Sequence, residues 1–364
     1  MKYLPDSIGL YIHIPFCAKK CLYCDFYSAV LNEKVYKDYS SALLREIELW
    51  GEKINRTVDT VYIGGGTPSL LGEDIIPLMD KIRSSFLLSD NAEITAECNP
   101  NLNADFLYAA AKSGVNRISL GVQSGDDNRL QALGRTHTAK DVRTAVNTAR
   151  RAGIRNISLD IMICLPDSNI DTLKQDIDFI CQLEPEHISA YILKIEENTA
   201  FYKQKDILNL PDDDSASEQY LTLCLELENR GYEHYEISNF AKKGYKSRHN
   251  LKYWRCEEYL GIGPSAHSFI LGKRFYYKKD IRAFIRGEKP VFDSTGGDKA
   301  ERIMLALRTN DGVLVSSFPD CKKEKIIRFK EVGLLEFKDG RITLTDKGML
   351  LSNSIISELI YEDL

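Results

Sequence analysis

Short apolar runs alternate with longer amphipathic segments over the first half of the chain. Six of these runs, each five to seven residues long, are apolar or rich in β-branched side chains, which is the pattern of buried strands. They are Ile8–Ile14, Val58–Ile63, Ala92–Ala96, Asn116–Leu120, Ile157–Ile163 and His187–Leu193. We therefore predict six strands of a single sheet.

Helical segments separate these strands. Ile170–Leu183 is representative, because its apolar residues recur on one helical face and polar residues occupy the other. The remaining segments are Glu33–Trp50, Asp74–Ser85, Ala104–Ser113 and Ala139–Ala152. Strict alternation of strand and helix predicts a parallel sheet with functional groups at the carboxyl ends of its strands, and six such units predict a partial (β/α)6 barrel.

The C-terminal part of the chain has a different pattern. Pro290–Asp298 is polar and contains two glycines, which marks a boundary. Two helical segments, Lys299–Arg308 and Lys322–Val332, precede a hairpin that turns at Asp339-Gly340. We therefore predict an α/β protein in three parts: a partial barrel over residues 1–240, a connecting segment over 241–295, and a small α+β, winged-helix-like cap over 296–364.

Composition and charge narrow the functional class. The 364 residues are 43% hydrophobic and carry a net charge of −5, which gives no overall attraction to nucleic acid or anionic lipid. Residues 299–364 hold eleven basic and eleven acidic side chains, so the winged-helix-like part lacks the basic face that DNA binding needs. No run of 18 apolar residues and no apolar signal segment is present. We expect a cytoplasmic protein with at most peripheral membrane contact.

Three of the nine cysteines lie in one short loop directly after the first predicted strand. Cys17, Cys21 and Cys24 have the spacing C-x3-C-x2-C, so their sulfur atoms can converge. Thiolates bind iron–sulfur clusters, usually four to a [4Fe–4S] unit, and Phe26 occupies the position of a possible further ligand. Three thiolates would leave one iron open. A zinc site is the weaker alternative because no second C-x2-C or H-x3-5-H pair exists, and structural cysteines are weaker still because the intervening lysines indicate a loop.

This loop resembles that of the radical S-adenosylmethionine (SAM) enzymes, in which three cysteines hold a [4Fe–4S] cluster and SAM binds the open iron. The preceding segment Tyr11–Phe16 is similar to the oxygen-independent coproporphyrinogen III dehydrogenase group. The decarboxylases of that group carry a further cysteine at the position of Phe26. The ending Cys24-Asp25-Phe26 resembles instead the HemW-type heme chaperones.

The resemblance implies a SAM site at the carboxyl ends of the strands. Its residues are Tyr11, Gly66, Thr67, Glu97, Gln123, Arg135 and Asp160. Gly66 and Thr67 match positions that contact the aminoacyl end of SAM, and the guanidinium of Arg135 could grip the methionyl carboxylate. Burying the carboxylates of Glu97 and Asp160 without partners would cost free energy. Either the cationic SAM or hydrogen bonds within the protein could supply those partners. The family usually has a glycine before its Leu-Pro pair, where this chain has Cys164.

A second concentration of aromatic residues and histidines lies at Tyr232–Phe240 and Arg248–Trp254. The residues alone favour an aromatic seam with a hydrogen-bonded histidine. The motif His-Asn-x-x-Tyr-Trp, which begins at His249, resembles the HemW signature associated with heme binding, so the resemblance implies that His249 is a heme ligand. His267, in a stretch of small residues, could be structural or functional.

The resemblance implies a heme chaperone that binds a [4Fe–4S] cluster, SAM and heme, and that passes heme to acceptor proteins. An electron donor for the cluster is the second expected partner. The alternative is an enzyme that oxidatively decarboxylates coproporphyrinogen III. A winged-helix DNA-binding regulator is a third class, and the neutral charge of the C-terminal part argues against it.

Overall fold

A computed structural model describes residues 7–360, so the outermost residues of the predicted ranges 1–240 and 296–364 lie outside the described part. In chain order its strands are β1 (Ser7–Ile14), β2 (Phe16–Cys17), β3 (Ala29–Val30), β4 (Thr57–Gly65), β5 (Leu87–Cys98), β6 (Arg117–Gln123), β7 (Asn156–Ile163), β8 (His187–Ile192), β9 (Glu233–Glu236), β10 (Asn239–Ala241), β11 (Tyr259–Ile262), β12 (His267–Ile270), β13 (Lys273–Tyr276), β14 (Val291–Thr295), β15 (Val313–Leu314), β16 (Leu335–Lys338) and β17 (Arg341–Leu344). Its α-helices are α1 (Glu33–Gly51), α2 (Ile75–Ser85), α3 (Ala104–Lys112), α4 (Asp127–Ala132), α5 (Ala139–Arg151), α6 (Ile170–Cys181), α7 (Asp213–Asn229), α8 (Arg248–Trp254), α9 (Ile281–Ile285), α10 (Lys299–Ala306), α11 (Lys323–Glu331), α12 (Asp346–Leu350) and α13 (Ser352–Ile360).

The six predicted strands are confirmed as the centre of a twelve-stranded sheet. β1, β4, β5, β6, β7 and β8 pair in parallel in that order. Helices connect them, as in a partial barrel. In β6 the side chains alternate: Ile118 and Leu120 pack in the apolar core, whereas Arg117 and Ser119 face the barrel interior. The core thus lies outside the sheet, and the barrel interior is polar.

Local signals set the ends of the connecting helices. Thr138 and Asp141 form a capping box at the start of α5, which satisfies backbone N–H groups that have no helical partner. Gly114 follows α3 with φ of 87°, and Gly153 follows α5 with φ of 97°. These left-handed conformations favour glycine and end each helix before the next strand, as the sequence predicts.

The segment 241–295 does more than connect two parts. Its strand β11 pairs in parallel with β1, and β12, β13 and β14 extend the sheet beyond it in antiparallel order. The close pairing depends on Gly261, because a Cβ there would lie 2.2 Å from the carbonyl oxygen of His267. These strands are too short to show a period-two pattern, so the sequence does not reveal them.

The C-terminal part forms a small α+β unit, as predicted. β15, β17 and β16 make a separate three-stranded antiparallel sheet, accompanied by α10 to α13. Asp339 and Gly340 have φ of 51° and 73°, which is the geometry of the predicted hairpin turn. No helix within residues 7–360 is long and apolar enough to cross a bilayer.

Helix α8 closes the amino-terminal end of the barrel. The Glu93 carboxylate, on β5, accepts hydrogen bonds from the backbone N–H groups of Arg248 (3.1 Å) and His249 (3.0 Å) at the start of α8. Glu93 is buried, so this link is shielded from water. It joins two parts of the chain that are 155 residues or more apart.

We expect Glu93→Gln to lower the free energy of unfolding by about 1–3 kcal/mol, because the amide turns a donor toward one of the two N–H groups and leaves it unsatisfied. Urea unfolding followed by the fluorescence of the two tryptophans, Trp50 and Trp254, measures the change. Glu228→Gln, on the exposed face of α7, is the control and should shift stability by no more than about 0.5 kcal/mol. Equal midpoints for both variants would show that Glu93 does not hold α8.

Candidate cluster and cofactor site

The cysteine loop lies at the carboxyl end of β1, between β2 and β3. Backbone hydrogen bonds fix it at Leu22: its N–H donates to Leu133 O (3.2 Å), and its carbonyl accepts from Phe201 N–H (3.0 Å). Its side chain packs against Leu133 and Phe201. Cys17, Cys21 and Cys24 are all half-buried. The loop therefore holds three accessible thiols at the mouth of the barrel.

The spacing of the three thiols favours a cluster over a single ion. Among the described residues, the three sulfur atoms do not form a group in which all lie within 4.8 Å of one another. A single zinc ion needs its ligands closer, whereas in a cluster each thiolate binds a different iron. Phe26 extends from the loop with 71% of its surface exposed.

Two polar side chains contact the thiols. The Thr67 hydroxyl lies 3.5 Å from Cys17 Sγ, and Arg135 Nη1 lies 3.4 Å from Cys21 Sγ. Asn99 joins them, because its Nδ2 donates to Thr67 Oγ1 (3.3 Å) and its Oδ1 accepts from Arg135 Nη2 (2.8 Å). Two of the residues that the resemblance assigns to SAM, Thr67 and Arg135, therefore contact the cluster loop, and Asn99, which the sequence did not single out, links them. Its place two residues after Glu97, at the end of β5, was the available signal.

Arg135 is already heavily hydrogen-bonded. Besides Cys21 and Asn99, its Nη2 donates to Gly121 O (2.6 Å) and its Nε to His137 Nδ1 (3.4 Å). His137 accepts there because its Nε2 donates to Val122 O (3.0 Å). Burial and the adjacent guanidinium lower the pKa of His137 to about 4, which keeps it neutral. Arg135 is therefore oriented as a fixed positive charge beside a thiol.

The glycine run at the end of β4 packs against the protein's own backbone and hydrogen-bonds to it. Gly66 N–H donates to Ile14 O (2.8 Å), and Thr67 N–H donates to Phe16 O (2.7 Å). A Cβ on Gly66 would come within 2.5 Å of Phe16 O, and one on Gly65 within 2.5 Å of the His13 ring. The glycines thus let this turn lie against the start of the cysteine loop.

Glu97 and Tyr11 line the barrel interior below the cluster loop. Glu97 accepts hydrogen bonds from Tyr62 OH (2.8 Å) and from Gly65 N–H (2.9 Å). Burial raises the pKa of Glu97 to about 7, which the two hydrogen bonds oppose. Tyr11 stacks on Tyr62, and its hydroxyl lies 2.9 Å from His13 Nδ1. The carboxylate is therefore half-buried and paired with neutral donors.

Asp160 and Gln123 complete the predicted set. Asp160 accepts hydrogen bonds from Ser119 Oγ (2.9 and 3.0 Å) and Ser158 Oγ (3.2 Å), and burial raises its pKa. Gln123 has φ of 68°, and a Cβ on Gly121 would lie 3.0 Å from its Nε2. Both side chains lie on the inner face, Gln123 at the carboxyl end of β6 and Asp160 within β7.

Cys164 follows β7 with φ of 58° and is buried. This left-handed conformation is the reason that a glycine suits the position, and it costs a residue with a Cβ about 1–2 kcal/mol. Its backbone N–H donates to Gln219 Oε1 (3.3 Å). The backbone at this position therefore adopts the left-handed conformation although the residue is a cysteine and not the family's glycine.

His249 lies at the opposite end of the barrel interior. Its Nδ1 is 2.8 Å from Thr60 Oγ1 and its Nε2 is 2.8 Å from Tyr253 OH, while the ring stacks on Tyr62. Burial, with Lys252 and Arg117 nearby, lowers its pKa to about 3. The imidazole is neutral and both of its nitrogens are engaged. As folded here, the barrel does not present it to a ligand.

Of the chain's six histidines, all of them in the described range, only His267 is exposed. It begins β12, and its ring stacks on Tyr276 at 5.2 Å. Its imidazole is therefore exposed to solvent, unlike that of His249.

Comparisons with known proteins agree with this arrangement. The model of the radical SAM superfamily matches residues 11–180, and that of the HemN C-terminal domain matches residues 300–351. The heme chaperone HemW of Bacillus subtilis is 36% identical over 97% of this chain and 99% of its own length, and that of Lactococcus lactis is 34% identical over 97% of each. Coproporphyrinogen III oxidase (HemN) of Escherichia coli has the same fold, with a TM-score of 0.82 at 22% identity over 98% of this chain and 90% of that one. This chain belongs to the HemW family of the radical SAM superfamily.

Proposed function

We propose that this protein is a heme chaperone that binds a [4Fe–4S] cluster, SAM and heme, and that transfers heme to acceptor proteins. The observation that carries the proposal is the loop of three half-buried thiols in which an exposed phenylalanine, Phe26, stands where the decarboxylases have a further cysteine. Relatives that cover nearly the whole chain are named heme chaperones, which supports the same function.

The donor set fits the cluster. Cys17, Cys21 and Cys24 would bind three irons and leave the fourth for SAM. Arg135 is 3.4 Å from Cys21 Sγ, so its charge would stabilise the thiolate. The hydroxyl of Thr67 would donate a hydrogen bond to the thiolate of Cys17. The bound cluster would supply the electron for reductive cleavage of SAM, and an external donor would reduce it.

The inner face of the barrel fits SAM. Tyr11, Gly66, Thr67, Gln123, Arg135, Glu97 and Asp160 are the proposed contacts. The two carboxylates are held by hydroxyl and backbone donors, so each keeps oxygen lone pairs for an ammonium or for ribose hydroxyls. The arrangement would orient SAM below the cluster loop.

Apolar side chains at the end of the barrel that carries the cysteine loop suit a porphyrin. Phe26 (71% exposed) and Ile207 (82%) are unusually exposed for their size, and Tyr191 and Ile192 lie half-exposed at the carboxyl end of β8. The flat face of a macrocycle would cover such groups. The family motif makes His249 the proposed axial ligand, but it lies at the opposite end of the barrel from these side chains. It would bind a heme held there only if α8 moved away from the barrel and its bonds to Thr60 and Tyr253 opened.

The pH dependence of SAM binding tests Glu97. Its folded-state pKa of about 7 lies above the ordinary glutamate value, so the carboxylate loses its negative charge as the pH falls below about 7. We expect affinity for the cationic SAM to rise between roughly pH 6 and pH 8 and to level off above that. Glu97→Gln should weaken binding by about 10-fold or more, the value of a hydrogen bond to a charged group, and should flatten the profile.

Calorimetric titration of the anaerobically reconstituted protein measures this effect. Glu196→Gln, a carboxylate in an exposed ion pair with Lys194, is the control and should keep the full pH profile. If the SAM affinity of the unmodified protein did not change with pH, Glu97 would not be part of the SAM site.

Heme titration with a set of variants tests the axial ligand. We expect His249→Ala to lose the Soret band of ligated heme. Tyr253→Phe should instead strengthen heme binding by about 2–10-fold, because it removes one of the hydrogen bonds that must open. His267→Ala, at the exposed imidazole, is the control. The opposite result, with heme lost in His267→Ala and kept in His249→Ala, would assign the ligand to the exposed histidine.

Product analysis separates the chaperone from the decarboxylase. The reconstituted protein is incubated anaerobically with SAM, a reductant and coproporphyrinogen III, and in parallel the heme-loaded protein is mixed with a heme-free acceptor. We expect heme transfer and no protoporphyrinogen. Formation of protoporphyrinogen over many turnovers, abolished by Cys24→Ala, would establish the enzyme instead.

A further inference from the structure

Three potential metal ligands converge where the barrel meets the C-terminal unit. Cys224 lies on α7, His234 on β9, and Asp346 is the first residue of α12. Cys224 Sγ is 3.9 Å from His234 Nδ1, and that nitrogen is 2.7 Å from Asp346 Oδ1. The three atoms all lie within 4.8 Å of one another, and they are the one such group among residues 7–360.

The surroundings fix the histidine in the orientation that a metal ligand needs. Its ring stacks on Phe240 at 4.4 Å with an interplanar angle of 15°. On the far side of the ring, Nε2 is 3.5 Å from Tyr220 OH, which itself donates to Ile237 O. With a metal on Nδ1, the Nε2–H would donate to the Tyr220 oxygen, an outer contact typical of metal-bound histidines.

The distances are close to those of a zinc site. Bonds of about 2.3 Å to sulfur and about 2.0–2.2 Å to nitrogen and oxygen place tetrahedral ligand atoms roughly 3.3–3.6 Å apart. The observed separations of 3.9 and 2.7 Å bracket that range. The Asp346 side chain is 42% exposed, so its carboxylate can move by the ~0.6 Å or more required and can leave room for water as the fourth ligand.

A hydrogen bond between His234 and Asp346 explains only part of this arrangement. It accounts for two of the three groups, whereas the third, the buried Cys224 thiol, lies 3.9 Å from the same ring nitrogen and also hydrogen-bonds to Tyr220. A divalent cation bound to the Cys224 thiolate and the Asp346 carboxylate would neutralise their two negative charges.

We propose that Cys224, His234 and Asp346 bind a zinc ion that fastens the C-terminal unit to the barrel. Two ligands come from α7 and β9, and the third from the helix that follows the hairpin of β16 and β17. Helix α12 packs on α7 in this structure, so the ion would strengthen an existing contact. The site is separate from the cluster loop and does not depend on the proposed function.

The test uses the full chain with Cys17, Cys21 and Cys24 all replaced by alanine, so that the loop thiols cannot compete. The metal-free protein is titrated with Co²⁺ without oxygen, and Zn²⁺ is then added. We expect the visible bands of four-coordinate Co²⁺ with a near-ultraviolet sulfur-to-cobalt band, both lost when Zn²⁺ displaces it. Adding Cys224→Ser should remove the sulfur band and weaken Zn²⁺ binding more than the ~10–100-fold cost of losing an outer contact.

Two further variants decide the result. Cys181→Ser, at a half-buried thiol on α6, is the matched control and should leave the spectrum unchanged. Asp346→Asn keeps an acceptor for His234 but removes the anionic ligand, so it should abolish the rise in Tm that Zn²⁺ causes in the parent protein. The proposal is overturned if the parent shows no sulfur-to-cobalt band, if Cys224→Ser retains it, or if Asp346→Asn binds Zn²⁺ as tightly as the parent.

Discussion

The parallel pairing of β1 between β4 and β11 is the constraint on which the rest of the site depends. On one side it aligns Tyr11 with Tyr62 and His13 with Gly64. On the other it brings in the segment that carries α8. The cysteine loop leaves the carboxyl end of β1, and the glycine turn after β4 lies against it. A shift of this strand would therefore displace the thiols and the barrel interior together.

Much of the fold could be read from the sequence because its signals are local. The central strands and their helices follow from periodicity, and the turns at Gly114, Gly153 and Asp339-Gly340 follow from residue type. The family resemblance, together with the predicted parallel sheet, also led us to expect Thr67, Glu97 and Asp160 on one face of the barrel. This step works because parallel strands all end on the same side.

Side-chain partners could not be read in the same way. The sequence did not reveal that Arg135 lies beside Cys21, 114 residues away. For His249, the partner Tyr253 is one helical turn away and could be guessed, but Thr60 is 189 residues away. Such contacts depend on how strands pair across the whole chain. Strands β11 to β14 are too short for their pairing to be predicted from the sequence.

Helix α8 covers the amino-terminal end of the barrel, opposite the cysteine loop. Gly9, His249 and Lys252 are in close contact at the closed end, where even a Cβ on Gly9 would lie 3.0 Å from Lys252. A ligand in the barrel interior would therefore be reached from the end that carries the cysteine loop. The rate of its exchange would depend on that loop and its neighbours, and not on α8.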